Sequence, residues 1–160
     1  MQKIIFMILF LFIFYSVSSV AQKKVIEGQF TWEEWKKTAD WQSYEAEDYT
    51  PDSMTVESLS KYIVQSLITF KIFSASWCHD SEMEMPKIIA LLLKCGIPED
   101  NIKIWGVDRN KREPDGLAEL FQIEKVPTLI IERNCVEIGR IVEYPDISWE
   151  QDILNIISQN

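Results

Sequence analysis

The seven residues Leu67 to Phe73 (L-I-T-F-K-I-F) constrain this chain more than any other stretch. They have strand length and β-rich composition, and apolar side chains fill most positions, the pattern of a central strand covered on both faces. Trp77 and Cys78 follow at once, and Ser81 to Cys95 reads as a long helix, interrupted at Pro86 and closed by Gly96. Ile102 to Val107 (I-K-I-W-G-V) is a second buried strand. A strand–helix–strand start implies parallel pairing through a crossover helix, and so an α/β domain.

The remaining elements follow from periodicity and capping. Thr31 to Ala39 forms a short helix in which Thr31 and Glu34 make a capping box, with Trp32 and Trp35 on one face. Such a stripe either covers a core edge, as most do, or docks a partner. Asp40 to Asp52 is acidic and aromatic without a clear period, and is expected to wrap the domain. Met54 to Gln65 carries Val56, Leu59 and Ile63 at helical spacing. Beyond a charged loop at Asp108 to Pro114, Asp115 to Phe121 is a short helix. Thr128 to Ile131 and Val136 to Val142 form a hairpin around Asn134-Cys135. Ser148 and Gln151 open a last helix bearing Trp149, Ile153, Leu154 and Ile157. The expected order is β-α-β-α-β-β-α after an N-terminal helical extension. The expected division is residues 1–21 as a signal peptide, 22–53 as the extension and 54–160 as the domain.

Lys3, the apolar run Ile4 to Tyr15 and the small residues Ser16 to Ala21 have the layout of a secretory signal, with Ser19 and Ala21 before the cleavage site. The run is short of the roughly 20 apolar residues a membrane span needs. The expectation is an exported protein, periplasmic or extracellular, with no integral span after cleavage. A net charge of −9 argues against nucleic acid or an anionic membrane as partner, because both recruit a positive face. Three cysteines are an odd number for an exported chain, so at least one stays free, pairs with another molecule or reacts.

Three features stand in order: a buried strand ending in Trp77-Cys78, a helix directly after it with Pro86 eight residues beyond the cysteine, and Val126-Pro127-Thr128 before the hairpin. Together they resemble the thioredoxin superfamily over roughly Met54 to Ile157, with W-C-H-D-S in place of the usual W-C-x-x-C. Ser76 to Ser81, Val107-Asp108-Arg109 and Gly139 to Pro145 are similar to a bacterial thioredoxin-like subgroup with W-C-x-D-S. The resemblance implies a thioredoxin fold with a mixed central sheet flanked by helices. It also implies a cis Val126–Pro127 bond, and a Val126 backbone that pairs with an extended substrate beside Cys78, with Trp77, Pro127 and Thr128 around it. The alternative for Pro127 is a trans proline opening an edge strand. Dithiol thioredoxins use a buried acid and a neighbouring lysine for proton transfer. The matching positions here are Ile72 and Ile104, both apolar, so release of a second thiol falls outside this chain's task.

The residues themselves point to Cys78 as the reactive group. A helix N-terminus favours negative charge on the sulfur, a protonated His79 adds to this, and Asp80 opposes it. Ser81 can donate a hydrogen bond to the sulfur but cannot form a disulfide with it. His79 is the single histidine, without a nearby partner for a metal, and no cofactor is called for. Cys95 lies about 25 Å down the helix from Cys78 at about 1.5 Å per residue. Cys135 lies about 26 Å beyond Pro127 at about 3.3 Å per residue. Neither can resolve a disulfide at Cys78, which needs Cα atoms within about 7 Å. At their shared far pole they either pair with each other or simply pack. The leading functional reading is monothiol disulfide exchange with client protein thiols or disulfides, released by a client cysteine or an external thiol. The competing ones are a non-catalytic peptide-binding module and a peroxide-reducing thiol, the last weakened by the lack of an arginine beside the sulfur within the motif.

Overall fold

The structure is a computed structural model that describes residues 23–159. The segment expected to be a signal peptide, residues 1–21, lies outside the described residues. Five strands form one sheet in the order β1-β3-β2-β4-β5: β1 Gly28–Phe30, β2 Ile68–Ser74, β3 Lys103–Gly106, β4 Thr128–Arg133 and β5 Val136–Val142. The central pair β2 and β3 is parallel, with Ile72 opposite Ile104. β4 runs antiparallel to β2 and places Thr128 opposite Phe73. The helices are α1 Trp32–Thr38, α2 Ser53–Gln65, α3 His79–Lys94, α4 Leu117–Leu120 and α5 Trp149–Gln159. This is the expected α/β architecture with a mixed sheet.

The period-2 alternation of β2 divides its side chains between two cores of unequal size. Ile68 and Ile72 enter the larger one, with Leu59 of α2, Met85, Ile88, Leu91 and Leu92 of α3, Ile104 and Leu129, and Trp149 and Ile153 of α5. Phe73 and Ala75 enter the smaller one, with Trp105, Val107, Ala118, Ile123, Val126 and Ile130. Only the four-residue α4 covers that second face, and so Thr69 is exposed and Lys71 half-buried. The expectation of a strand covered on both faces therefore holds at the end of β2 next to Cys78. At the other end the Lys71 ammonium pairs with the buried Glu132 carboxylate.

Two segments differ from the sequence reading. Helix α3 runs unbroken through Pro86, which is buried. Proline removes one backbone bond there, and the apolar face formed by Met85, Ile88, Ile89 and Leu92 outweighs that loss. Gly96, at φ +85°, then ends the helix: its N–H and that of Ile97 return to Leu93 O and Leu92 O. The second difference is β1, three residues within the extension 22–53 that reads as helical. It pairs antiparallel with β3, Phe30 opposite Ile104, and is too short to show a period.

The N-terminal segment is part of the core. Thr31 caps α1 with the full capping box. Trp32, Trp35 and Trp41 are buried in the larger core, which settles the tryptophan stripe as a core edge. A Cβ on Gly106 would lie 2.7 Å from Ile26 O, so the close approach of this segment to β3 requires glycine. The far side of the same core holds the buried Glu150, whose carboxylate accepts the Tyr49 hydroxyl at 2.7 Å and the Asp52 N–H at 3.1 Å. Burial pushes this carboxyl up, but the Tyr49 and Asp52 hydrogen bonds outweigh it and leave it below its ordinary value. A depressed carboxyl contributes stability above its unfolded pKa that is lost as pH falls through the folded one. Thermal stability should therefore decline on acidification below about pH 4.5, the ordinary glutamate value. Tyr49→Phe should lower stability at neutral pH by about 1.5–3 kcal/mol and make the acid decline shallower; an unchanged slope would remove Glu150 as its source.

Candidate active site

Cys78 is the N-cap of α3, in extended conformation at φ −91° and ψ 129°. Its N–H donates to Ala75 O at 3.0 Å, and its own carbonyl accepts the Glu82 N–H at 3.2 Å, starting the helix. The residue is half-buried, and its thiol donates to Val126 O at 3.4 Å. The Val126–Pro127 peptide bond is cis. Cys78 and the Val126-Pro127 segment are thus brought together from chain positions far apart. Pro127 O accepts the Glu143 N–H at 2.7 Å, and the Thr128 hydroxyl donates to Lys125 O at 2.8 Å, which ties the segment to β5 and to its own loop. The Val126 N–H meets no acceptor among the described residues.

Other candidates are distributed around the sulfur. Trp77 packs against the smaller core and donates its indole N–H to Val107 O at 3.1 Å. Ser81 is fully buried, and its hydroxyl accepts the Ala75 N–H at 3.3 Å. It closes the strand-to-helix turn, while the hydrogen bond of the sulfur goes to Val126. His79 is exposed and lines a cavity of about 360 Å³ with Gln42, Glu45, Asp48, Glu82 and Met83. Glu82 pairs with Lys23 and accepts the Gln42 N–H at 2.8 Å. Burial raises its carboxyl, and these partners, with a smaller contribution from His79, bring it below the ordinary value.

Sequence reasoning missed the support beneath the turn. The Trp41 indole donates to Ser76 O at 2.8 Å, and the Ser76 hydroxyl donates to Lys24 O at 2.5 Å. The N-terminal segment thereby holds the residue two before Cys78 by both its backbone and its side chain. Trp41 carries no local signal for this, because the contact spans 35 residues. Ile72 and Ile104 are fully buried, so the interior behind Cys78 offers no proton carrier at these two positions.

The far cysteines do not pair. Cys95 is buried at the end of α3, and Cys135 is exposed in the hairpin turn. Burial pushes the Cys95 thiol up, with the Ser60 hydroxyl opposing and Glu150 adding to it. Among the described residues no cluster of ligating side chains could hold a metal ion. No helix among them is long and apolar enough to cross a membrane.

No family model matches the chain. A thioredoxin of Chlamydia pneumoniae is 26% identical over 99 residues, which span 62% of this chain and 90% of that protein. A thioredoxin of Echinococcus granulosus is 31% identical over 70 residues, 44% of this chain; the match spans 60% of the relative's own length. Among solved structures, a Pseudomonas aeruginosa protein of unknown function superposes with a TM-score of 0.50 at 17% identity, over 71% of this chain and 77% of that one. The sheet order, the helix that begins at Cys78 and these similarities describe a thioredoxin-like α/β fold, and they support relatedness to the thioredoxin-like superfamily as a whole.

Proposed function

We propose that this protein is a monothiol disulfide exchanger of the W-C-x-D-S type. The observation that carries the reading is the meeting of the half-buried Cys78 sulfur with Val126, whose N–H is unpaired among the described residues. An extended client segment that bonds to this N–H adds a strand beside the sulfur. The Cys78 thiol gives its proton to solvent, and the sulfur attacks a client disulfide. A Cys78–client S–S bond forms as the client S–S bond breaks, and the departing sulfur takes the electron pair and a proton. With Cys95 buried and Cys135 in the distant hairpin, release falls to a second client thiol (isomerisation) or to an external thiol (reduction). Residues 1–21 support the further proposal that this takes place outside the cytoplasm, and N-terminal sequencing that finds Met1 retained would remove that part.

Native-state labelling with iodoacetamide, read by mass spectrometry at each cysteine, tests the reading. Cys78 should react faster than Cys135, which serves as an exposed reference, and Cys95 should stay unlabelled until the protein unfolds. Reaction of Cys78 no faster than Cys135 would remove the basis for catalysis and leave a peptide-binding scaffold.

A further inference from the structure

The Trp77 ring beside Cys78 carries two cations. The Arg109 guanidinium lies 5.0 Å from the ring centroid and the Lys111 ammonium 5.6 Å. Neither makes an ion pair with a carboxylate among the described residues, although the chain has 25 acids against 16 lysines and arginines. Several other surface cations take acidic neighbours, as Arg112 does with Glu119, Lys125 with Glu143 and Arg140 with Glu137. Lys24, Lys94, Lys103 and Arg133 also lack an ion pair among the described residues, but none of these four stacks on a ring beside Cys78.

The arrangement is built into the loop. Asp108 accepts the N–H groups of Asn110 and Arg112, both at 2.8 Å, and its own N–H donates to Arg112 O at 2.8 Å. Lys111 adopts φ +62°, a left-handed conformation costly for a residue with a side chain. The Trp77 indole bonds to Val107 O, one residue before this turn. Loop, ring and cations thus meet at the residue preceding the Cys78 sulfur. Two like charges over one ring repel each other, and stacking on the π face offsets only part of that. The Lys111 ammonium donates to Arg109 O at 3.3 Å, and stacking leaves its other two donors and the guanidinium edge for an anion. The other flank of the sulfur carries Asp80 in the first turn of α3, where Glu82 is paired with Lys23.

We infer that Arg109 and Lys111 select reaction partners that carry a carboxylate next to the sulfur, on the Trp77 side of Cys78. The inference rests on the exchange chemistry proposed above and names its substrate class: a disulfide flanked by carboxylate, whether a small acidic disulfide or a disulfide in an acidic stretch of a client. Both residues act as specificity residues, and the reacting bonds remain those of Cys78 and the partner disulfide.

The test compares rates of Cys78 modification by dithiodiglycolate (anionic), hydroxyethyl disulfide (neutral) and cystamine (cationic). Each rate is divided by that of free cysteine with the same reagent. Wild type should favour the anionic over the cationic reagent by about fivefold or more at low salt, and the ratio should fall as salt shortens the Debye length to about 10 Å at 0.1 M. The double variant R109Q/K111Q should lose the preference, and R109K/K111R should restore it, which a merely structural role would not do. Peptide disulfides flanked by Glu or by Lys separate the two sources: a preference seen only with peptides assigns the carboxylate to a protein client. Equal ratios in wild type and R109Q/K111Q with every reagent would overturn the inference while the exchange reading stands. Failure of Cys78 to react even with the neutral reagent would overturn both.

Discussion

Replacement of Cys78 by alanine is expected to reduce covalent capture of a disulfide-containing protein client to the level set by Cys135. The three cysteines differ enough in placement to make this a clean subtraction. Cys95 is buried, Cys135 is exposed in the hairpin turn, and Cys78 is half-buried at the mouth of α3 with its sulfur against Val126. A segment paired to the Val126 backbone holds its disulfide near Cys78 at an effective concentration in the mM range or higher, an advantage that Cys135 lacks. Adducts in the wild type should therefore exceed the Cys135 background by at least about tenfold, and C78A/C135A should form none. Non-reducing electrophoresis and mass mapping of the linked cysteine provide the readout. In the wild type the adduct should persist until an external thiol or a second client thiol arrives. Undiminished capture in Cys78→Ala, without a covalent bond, would convert the site into a binding groove.

The second large effect concerns a residue remote from the sulfur. Trp35 is fully buried. It meets Trp41 at 5.4 Å and Phe30 at 5.7 Å between ring centroids, both edge-on. Trp35→Ala should cost about 3–5 kcal/mol, as removal of a large core side chain does. That is a large share of the 5–15 kcal/mol typical of a domain, and a fall in Tm of about 10–20 °C should follow. Trp35→Phe should cost much less, because the indole N–H is buried without a partner among the described residues and its removal relieves that loss. The consequence reaches the candidate active site. Trp41 leans on Trp35 and holds Ser76 O through its indole, so the alanine variant should also slow Cys78 reactions at temperatures where it remains folded. An alanine variant that keeps the wild-type Tm would show that residues 23–53 fold apart from the sheet, contrary to the shared core.

The elements that place the site were legible because each carried a local cause. β2 and β3 have apolar runs of strand length, Thr31 and Glu34 form a capping box, and Gly96 supplies the left-handed stop. The hairpin turned at Asn134-Cys135 as read, both residues lying at positive φ. Ser81 was a candidate partner of the sulfur by sequence proximity alone. In the fold its hydroxyl turns inward to Ala75 N–H, since a buried N–H at the end of β2 needs an acceptor. The pairing of Cys95 with Cys135 was open from spacing along the chain; in the fold both thiols are free, Cys95 buried at the end of α3 and Cys135 exposed in the hairpin turn.

Local chemistry in the sequence alone determined the class of fold, the position of Cys78 at a helix mouth and the absence of a second thiol close by in the chain. Those properties depend on neighbours within a few residues, where hydrophobic period and capping act. Only the tertiary structure decided that Val126 touches the sulfur, that Trp41 and Lys24 hold Ser76, and that Arg109 and Lys111 stand over Trp77. Each of these contacts joins segments about 30 to 50 residues apart, and side-chain packing across that span leaves no periodic trace in the chain.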